Sequence, residues 1–214
     1  MQKRLIIAAL AVLSLGLLLR VFSTPGRAQD VDQANAALAK TEHRLADEVT
    51  TSTETAQALE QDFASPDKLP AELTEFAKTT ERLRQLSEDL GKDVTAYETA
   101  TTTKLAEFDG ELKAIKDSST RRHVERLRAK AQRQAAERLQ TSRSALDDLQ
   151  LVLAQGGDLQ HAAKCVQLAD ELHIQGNDLD AQVRRAKDQA AAYARLSNTL
   201  LAKLTTPAEN TDYR

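Results

Sequence analysis

Apolar side chains recur at alternating intervals of three and four residues over most of the chain, with polar side chains between them. This spacing places the apolar residues along one face of an α-helix, as in coiled coils and helical bundles. A first such seam runs from Val31 to Phe63 and ends at the turn Ser65–Pro70. A second begins at Leu69 and continues through Leu73, Phe76, Leu83, Leu90, Val94, Tyr97, Leu105, Phe108, Leu112 and Ile115.

The second half of the chain predicts two further helices. Asp117-Ser118-Ser119 provides N-cap side chains for a third helix, whose seam runs from Val124 to Leu153 through Leu127, Ala131, Ala135, Leu139, Leu146 and Leu149. We expect Gln155-Gly156-Gly157-Asp158 to end this helix and to cap a fourth, from Leu159 to Leu204, with a kink at Gly176-Asn177.

Short turns between long helices favour antiparallel neighbours. The pattern therefore predicts an all-α fold, an elongated antiparallel bundle of about four long coiled-coil-like helices over residues 29–204, followed by a disordered tail at 205–214. Composition agrees, since the 214 residues include no Trp, four Pro and seven Gly, and aromatic residues make up only 3% of them. This is the composition of long helices rather than of β architecture or a wide globular core.

The N-terminus has the three-part pattern of a secretory signal. Lys3 and Arg4 precede an apolar run, Leu5–Leu19, which as a helix rises about 22 Å at 1.5 Å per residue, less than a bilayer core of about 30 Å. Small residues before Gln29 predict cleavage after Ala28. The alternative is an uncleaved N-terminal anchor. In either case we expect an exported protein whose body is periplasmic or otherwise extracytoplasmic.

Charge is distributed unevenly along the chain, although the net charge is only −3. The segment Arg121–Arg143 contains eight basic residues and two acidic ones, while Asp30–Phe63 contains eight acidic and two basic ones. One interpretation is that the first and third helices are neighbours that neutralise each other. The other is an anionic partner outside the bundle, such as an envelope polymer, lipid head groups or the acidic helix of another copy.

Four of the basic residues favour the second interpretation. At about 100° per residue, they project within one sector roughly opposite the predicted seam, with Glu137 as the acidic residue of that sector. We call this set the basic stripe: Arg122, Arg126, Lys130 and Arg133. Nucleic acid is not expected as the partner, because export removes access to it and aromatic residues are not interleaved with the basic ones.

No catalytic, cofactor-binding or metal-binding site is predicted. His161, Cys165 and His173 share one face of the predicted fourth helix, but structural zinc requires four ligands and the pattern supplies three. We therefore interpret Cys165 as a small, partly buried packing residue. The chain also lacks a glycine-rich phosphate loop, and its carboxylates are those of solvated helix surfaces. The sequence predicts a protein that is not an enzyme.

The stretch from about Asp93 to Leu201 resembles a family of uncharacterised bacterial exported coiled-coil proteins, a domain of unknown function. The resemblance rests on Lys116–Arg122, on the Arg-rich seam that follows, and on the run Leu168–Leu179. It implies export and an all-helical architecture. Members often look like lipoproteins, whereas this chain has no cysteine at the end of its apolar run.

The helical pattern, the predicted export and the lack of catalytic motifs together indicate a scaffold, spacer or partner-binding protein of the cell envelope. Its partner would be an unidentified protein or a second copy. The alternative is a protein that binds a membrane surface or an anionic polymer.

Overall fold

The computed structural model of the chain describes residues 28–65, 68–174 and 176–205. Within these ranges the chain forms four helices and no strand, which confirms the predicted all-α class. The helices are α1 (Ala28–Asp62), α2 (Leu69–Ala114), α3 (Ser118–Glu171) and α4 (Asn177–Thr205). The predicted signal segment before Ala28 and the tail after Thr205 lie outside the described residues. None of the described helices is long and apolar enough to cross a membrane.

Consecutive helices pack antiparallel. The Thr41 hydroxyl of α1 donates to Asp93 Oδ2 of α2 at 2.7 Å, and farther along α1 the hydroxyls of Thr55 and Thr79 lie 3.3 Å apart. Residue numbers therefore rise along α1 as they fall along α2. The same reversal relates α3 to α4 through the pairs Ser144–Lys203 and Gln155–Gln189.

The described helices divide into two compact units. Unit 1 consists of residues 28–38 with Val94–Leu139, and unit 2 consists of Ala39–Asp93 with residues 140–205. In unit 1 a small core joins α2 to α3 through Phe108, Leu112 and Val124, with Ile115 packed against it. In unit 2 all four helices supply fully buried side chains, among them Leu45, Phe76, Leu149, Tyr193 and Leu200.

The predicted seams of the first two helices are confirmed over most of their length. From Leu38 onward every predicted seam residue of α1 is buried, and Val31 is half-buried. In α2 every predicted seam residue is buried except Leu105 and Ile115, which are half-buried. The side chains of the two seams therefore form much of the core of both units.

The predicted break at Gly156-Gly157 is wrong, because α3 continues through both glycines to Glu171. Glycine costs a helix interior about 1 kcal/mol relative to alanine, and packing can offset that cost. Gly156 lies in the seam, and a Cβ atom there would come within 3.2 Å of Tyr193 Cε2 and 3.4 Å of Thr80 Cγ2. The missing side chain allows α2 and α4 to approach α3 closely, so this glycine contributes to packing rather than to a turn.

The turn between α3 and α4 lies instead at the predicted kink. The His173 amide donates to the carbonyl of Asp170 at 2.8 Å, and the Ile174 amide donates to the carbonyl of Ala169 at 2.9 Å. Together with the positive φ of His173 (54°), these bonds close the end of α3 in the manner of a Schellman cap. Gly176, with φ of 79°, leads into α4.

The predicted seam of the third helix is partly wrong as well. Leu146 and Leu153 are only half-buried, whereas Ala145 and Val152, each one position earlier, are fully buried. Both sets have the same three-and-four spacing, so periodicity alone does not choose between them. The seam that packs in unit 2 contains smaller residues because α3 has helices on more than one side there.

Candidate anionic-partner interface

The N-terminal end of α3 is held in place by a side-chain cap. Asp117 Oδ2 accepts a hydrogen bond from the Thr120 amide at 2.7 Å, which confirms the predicted N-cap. This backbone hydrogen bond, with a further one from the Thr120 side chain, lowers the pKa of Asp117, so the carboxylate stays charged at the positive end of the helix dipole. The cap therefore sets where α3 begins.

The rotation of α3 about its axis is set by Val124. This side chain is 4% exposed and packs with Phe108 and Leu112 of α2. On an ideal helix the centre of the basic stripe lies about 160° from Val124. All four stripe residues are indeed exposed: Arg122, Arg126, Lys130 and Arg133.

Arg128 lies between the basic stripe and the seam, and it forms an ion pair with α2. Its Nε donates to Asp109 Oδ1 at 2.6 Å and its Nη2 to Asp109 Oδ2 at 2.9 Å, a bidentate pair that links α3 to α2. The hydrogen bonds lower the pKa of Asp109 and raise the pKa of Arg128. The predicted neutralisation of basic α3 by acidic α1 therefore does not describe Arg128, whose partner belongs to α2.

The residues of the basic stripe have no such partner. None of the four forms an ion pair with a described acidic residue. Arg126 Nε donates only to the Arg122 carbonyl of its own helix, at 3.4 Å. The nearby Arg121 pairs with Glu125 at 3.3 Å along the same helix. The stripe is thus a row of exposed cations that form no ion pair within the described part of the fold, with Glu137 as the acidic residue of the same sector. Its predicted role in binding an anion stays a prediction.

The candidate metal ligands His161, Cys165 and His173 do not form a site in the structure. Cys165 is exposed, so its interpretation as a partly buried packing residue is wrong; Ala163 and Val166 occupy the neighbouring buried positions. His173 lies in the turn after α3 and not on a helical face with His161. Over the described ranges, no three His, Cys, Asp or Glu residues are grouped so that they could hold a metal ion.

Unit 2 contains a cluster of buried hydroxyl groups that the apolar pattern of the sequence does not predict. The Tyr193 hydroxyl shares a hydrogen bond with Ser52 Oγ, and the Thr79 hydroxyl donates to the same Ser52 oxygen at 3.4 Å. The Tyr193 ring meets Phe76 edge to face, with centroids 5.1 Å apart. Burial raises the pKa of Tyr193, and the hydrogen bond from Ser52 opposes that effect. A polar residue at a seam position between Val49 and Ala56 was the signal that could have revealed this cluster.

Comparison of the chain with family models, curated proteins and solved structures finds no match. The resemblance to exported coiled-coil proteins therefore stays a prediction.

Proposed function

We propose that the chain is an exported, non-enzymatic helical scaffold or partner-binding protein of the cell envelope, and that it holds an anionic partner through the basic stripe. Export is supported by the predicted signal or anchor, in which Lys3 and Arg4 precede the apolar run Leu5–Leu19. The contact surface is supported by one observation above all. The four cations of the stripe are exposed and form no ion pair with a described acidic residue.

The stripe contributes little to the fold itself. Like charges four residues apart destabilise an isolated helix by roughly 0.2–0.5 kcal/mol per pair, and the stripe contains two such pairs, Arg122 with Arg126 and Arg126 with Lys130. An external anion would remove this repulsion and would form charge-assisted hydrogen bonds with the guanidinium groups. A binding role therefore accounts for a surface that folding alone does not require.

Binding of a soluble polyanion tests this function. We would titrate the full chain with inorganic polyphosphate at 50 and 300 mM NaCl and measure the affinity by calorimetry. The Arg126→Glu, Arg133→Glu variant reverses two stripe charges. Its matched control, Arg185→Glu with Lys187→Glu, makes the same net change at two exposed positions of α4 in unit 2.

We expect the wild-type protein and the control variant to bind, and the affinity to fall as salt screens the contact. The stripe variant should bind at least tenfold more weakly than the control. Equal affinities of the two variants would mean that any binding depends on net charge alone, and the stripe would have no specific role. Circular dichroism would verify that both variants are as helical as the wild type.

A further inference from the structure

We infer that the anionic partner of the basic stripe is the head-group surface of a lipid bilayer, with unit 1 lying against the membrane along α3. This inference rests on the proposed function, because it names the kind of anion that the stripe binds. Three features of unit 1 carry it: the convexity of the stripe, the size of its neighbours and its position relative to the start of α1.

The stripe lies on a ridge and not in a groove. Val124 faces the core between α2 and α3, and the stripe lies on the opposite side of the same helix, so the packed partner helix is behind it. The four side chains fall within a sector of about 80° and span about 16 Å along the axis. A flat surface can therefore meet all four cations without touching α2.

The residues along one border of the stripe have small side chains. Ala129 and Ala136 are exposed along one border of the row, and neither extends past its Cβ atom. The arginine and lysine side chains therefore project farther from the helix axis than their neighbours on that border. Their long apolar stems allow the charged ends to reach phosphate groups at different depths.

A bilayer fits this ridge better than a flexible polyanion does. A ridge contacts its partner from one side only, so a flexible chain would lose conformational freedom there in return for few contacts. Lipid phosphates are already arranged in a plane. Each lysine or arginine near an anionic leaflet contributes about fivefold to partitioning, so four of them give a reversible, salt-sensitive attachment.

A second copy of the chain is a poorer match. Several surface acids of α2 already pair with a basic residue of the same helix, in Glu75–Lys78, Glu81–Arg84 and Asp89–Lys92. On α1, Asp47 and Glu54 are exposed, but they are seven residues apart, about 10 Å, whereas the stripe places a cation about every 4.5–6 Å. These two acids of another copy could therefore satisfy only part of the row.

The start of α1 connects this surface to the membrane-directed segment of the sequence. Arg138 of α3 donates to Asn35 Oδ1 of α1 at 3.4 Å, so the first turns of α1 lie beside the helix that carries the stripe. Eight residues separate the apolar run Leu5–Leu19 from Ala28, a span of at most about 29 Å when extended. Before any cleavage, unit 1 is therefore tethered near the membrane surface, and afterwards the stripe can keep it there.

Vesicle sedimentation tests the inference. The full chain, the Arg126→Glu, Arg133→Glu variant and the Arg185→Glu, Lys187→Glu control would be mixed with vesicles of phosphatidylcholine alone or with 30% phosphatidylglycerol. Pure phosphatidylcholine measures any attachment through the apolar segment. We expect the anionic lipid to increase binding of wild type and control at least tenfold at 50 mM NaCl. This gain should be absent from the stripe variant and much reduced at 300 mM NaCl.

The failures of the two proposals can be told apart. Stripe-dependent binding to polyphosphate without a gain on phosphatidylglycerol would overturn the bilayer inference and leave the proposed function standing. Equal behaviour of both variants towards polyphosphate and vesicles would overturn both. Salt-sensitive dimerisation in sedimentation velocity that only the stripe variant loses, with no gain on anionic vesicles, would identify a second copy as the partner instead.

Discussion

Gly156 and Gly157 are adjacent in α3, yet we expect alanine to have opposite effects at the two positions. Alanine in place of a helical glycine stabilises a helix by about 0.5–1 kcal/mol, because the unfolded chain loses freedom and the propensity improves. At Gly157 the new Cβ atom would meet nothing within 4 Å beyond the adjacent residues and backbone of its own helix, so Gly157→Ala should show this gain in full.

At Gly156 the new methyl group meets Tyr193 Cε2 at 3.2 Å, closer than ordinary van der Waals contact. The ring has little room to retreat, because Phe76 packs against it with an interplanar angle of 83° and its hydroxyl is hydrogen-bonded to Ser52. Overpacking of this kind typically costs about 1–3 kcal/mol. After the helical gain is subtracted, Gly156→Ala should destabilise the protein by up to about 2 kcal/mol.

Urea denaturation followed by circular dichroism at 222 nm would measure the difference. The two variants should differ by about 1–3 kcal/mol, or several degrees in Tm at roughly 2–4 °C per kcal/mol for a chain of this size. Gly156→Val should be worse than Gly156→Ala, because it adds two further methyl groups at the same contact. A Gly156→Ala protein as stable as Gly157→Ala would refute the argument that the glycine is required by close approach of Tyr193.

Three further predictions concern other parts of the fold. Leu90 is fully buried in the α2 seam, so Leu90→Ala should cost about 2–5 kcal/mol in the same denaturation assay, and an unchanged midpoint would contradict the burial. His173 has a left-handed backbone (φ 54°), so His173→Gly should raise stability by about 1 kcal/mol, whereas His173→Ala should not. Because burial raises the pKa of Tyr193 above its unfolded value near 10, its contribution to stability is complete below pH 10 and is lost above it. The Tyr193→Phe protein should therefore lose less stability between pH 9 and 11 than the wild type, and identical pH slopes would contradict this.

The sequence was most informative where large apolar residues repeat without interruption. The α2 seam from Leu69 to Leu112 could be predicted because burial of its leucines and aromatic side chains is strongly favourable. Any other rotation of the helix would expose these side chains to water. The end of α3 could not be predicted in this way. Propensity favours a break at two glycines, but tight packing in unit 2 disfavours a larger residue at the first of them, and this contact joins residues far apart in sequence.

The candidate interface could be predicted in part. Helical spacing alone placed Arg122, Arg126, Lys130 and Arg133 on one exposed face, because a seam residue such as Val124 fixes the rotation of the helix. The individual pairing of Arg128 could not be predicted, since it depends on which residue of α2 lies opposite. The exposure of Cys165 could not be predicted either. A small residue one position from the seam is buried in the core or exposed to solvent depending on how the neighbouring helices pack.

The hydrogen bond between Ser52 and Tyr193 has a consequence for how α4 finds its alignment against α1. The buried positions of α4 repeat every seven residues, so a slip by one heptad would still place mostly apolar side chains in the core. Such a slip would place Ala186 or Leu200 opposite Ser52 in place of Tyr193. Neither side chain can hydrogen-bond to the serine, which would keep only its 3.4 Å contact with the Thr79 hydroxyl. An incompletely satisfied buried hydroxyl costs up to about 1–3 kcal/mol. This hydrogen bond thus adds a polar preference for the native alignment to the packing of the Tyr193 ring. A preference of about 1–3 kcal/mol corresponds to a population ratio of roughly 5 to 160 against each slipped alignment.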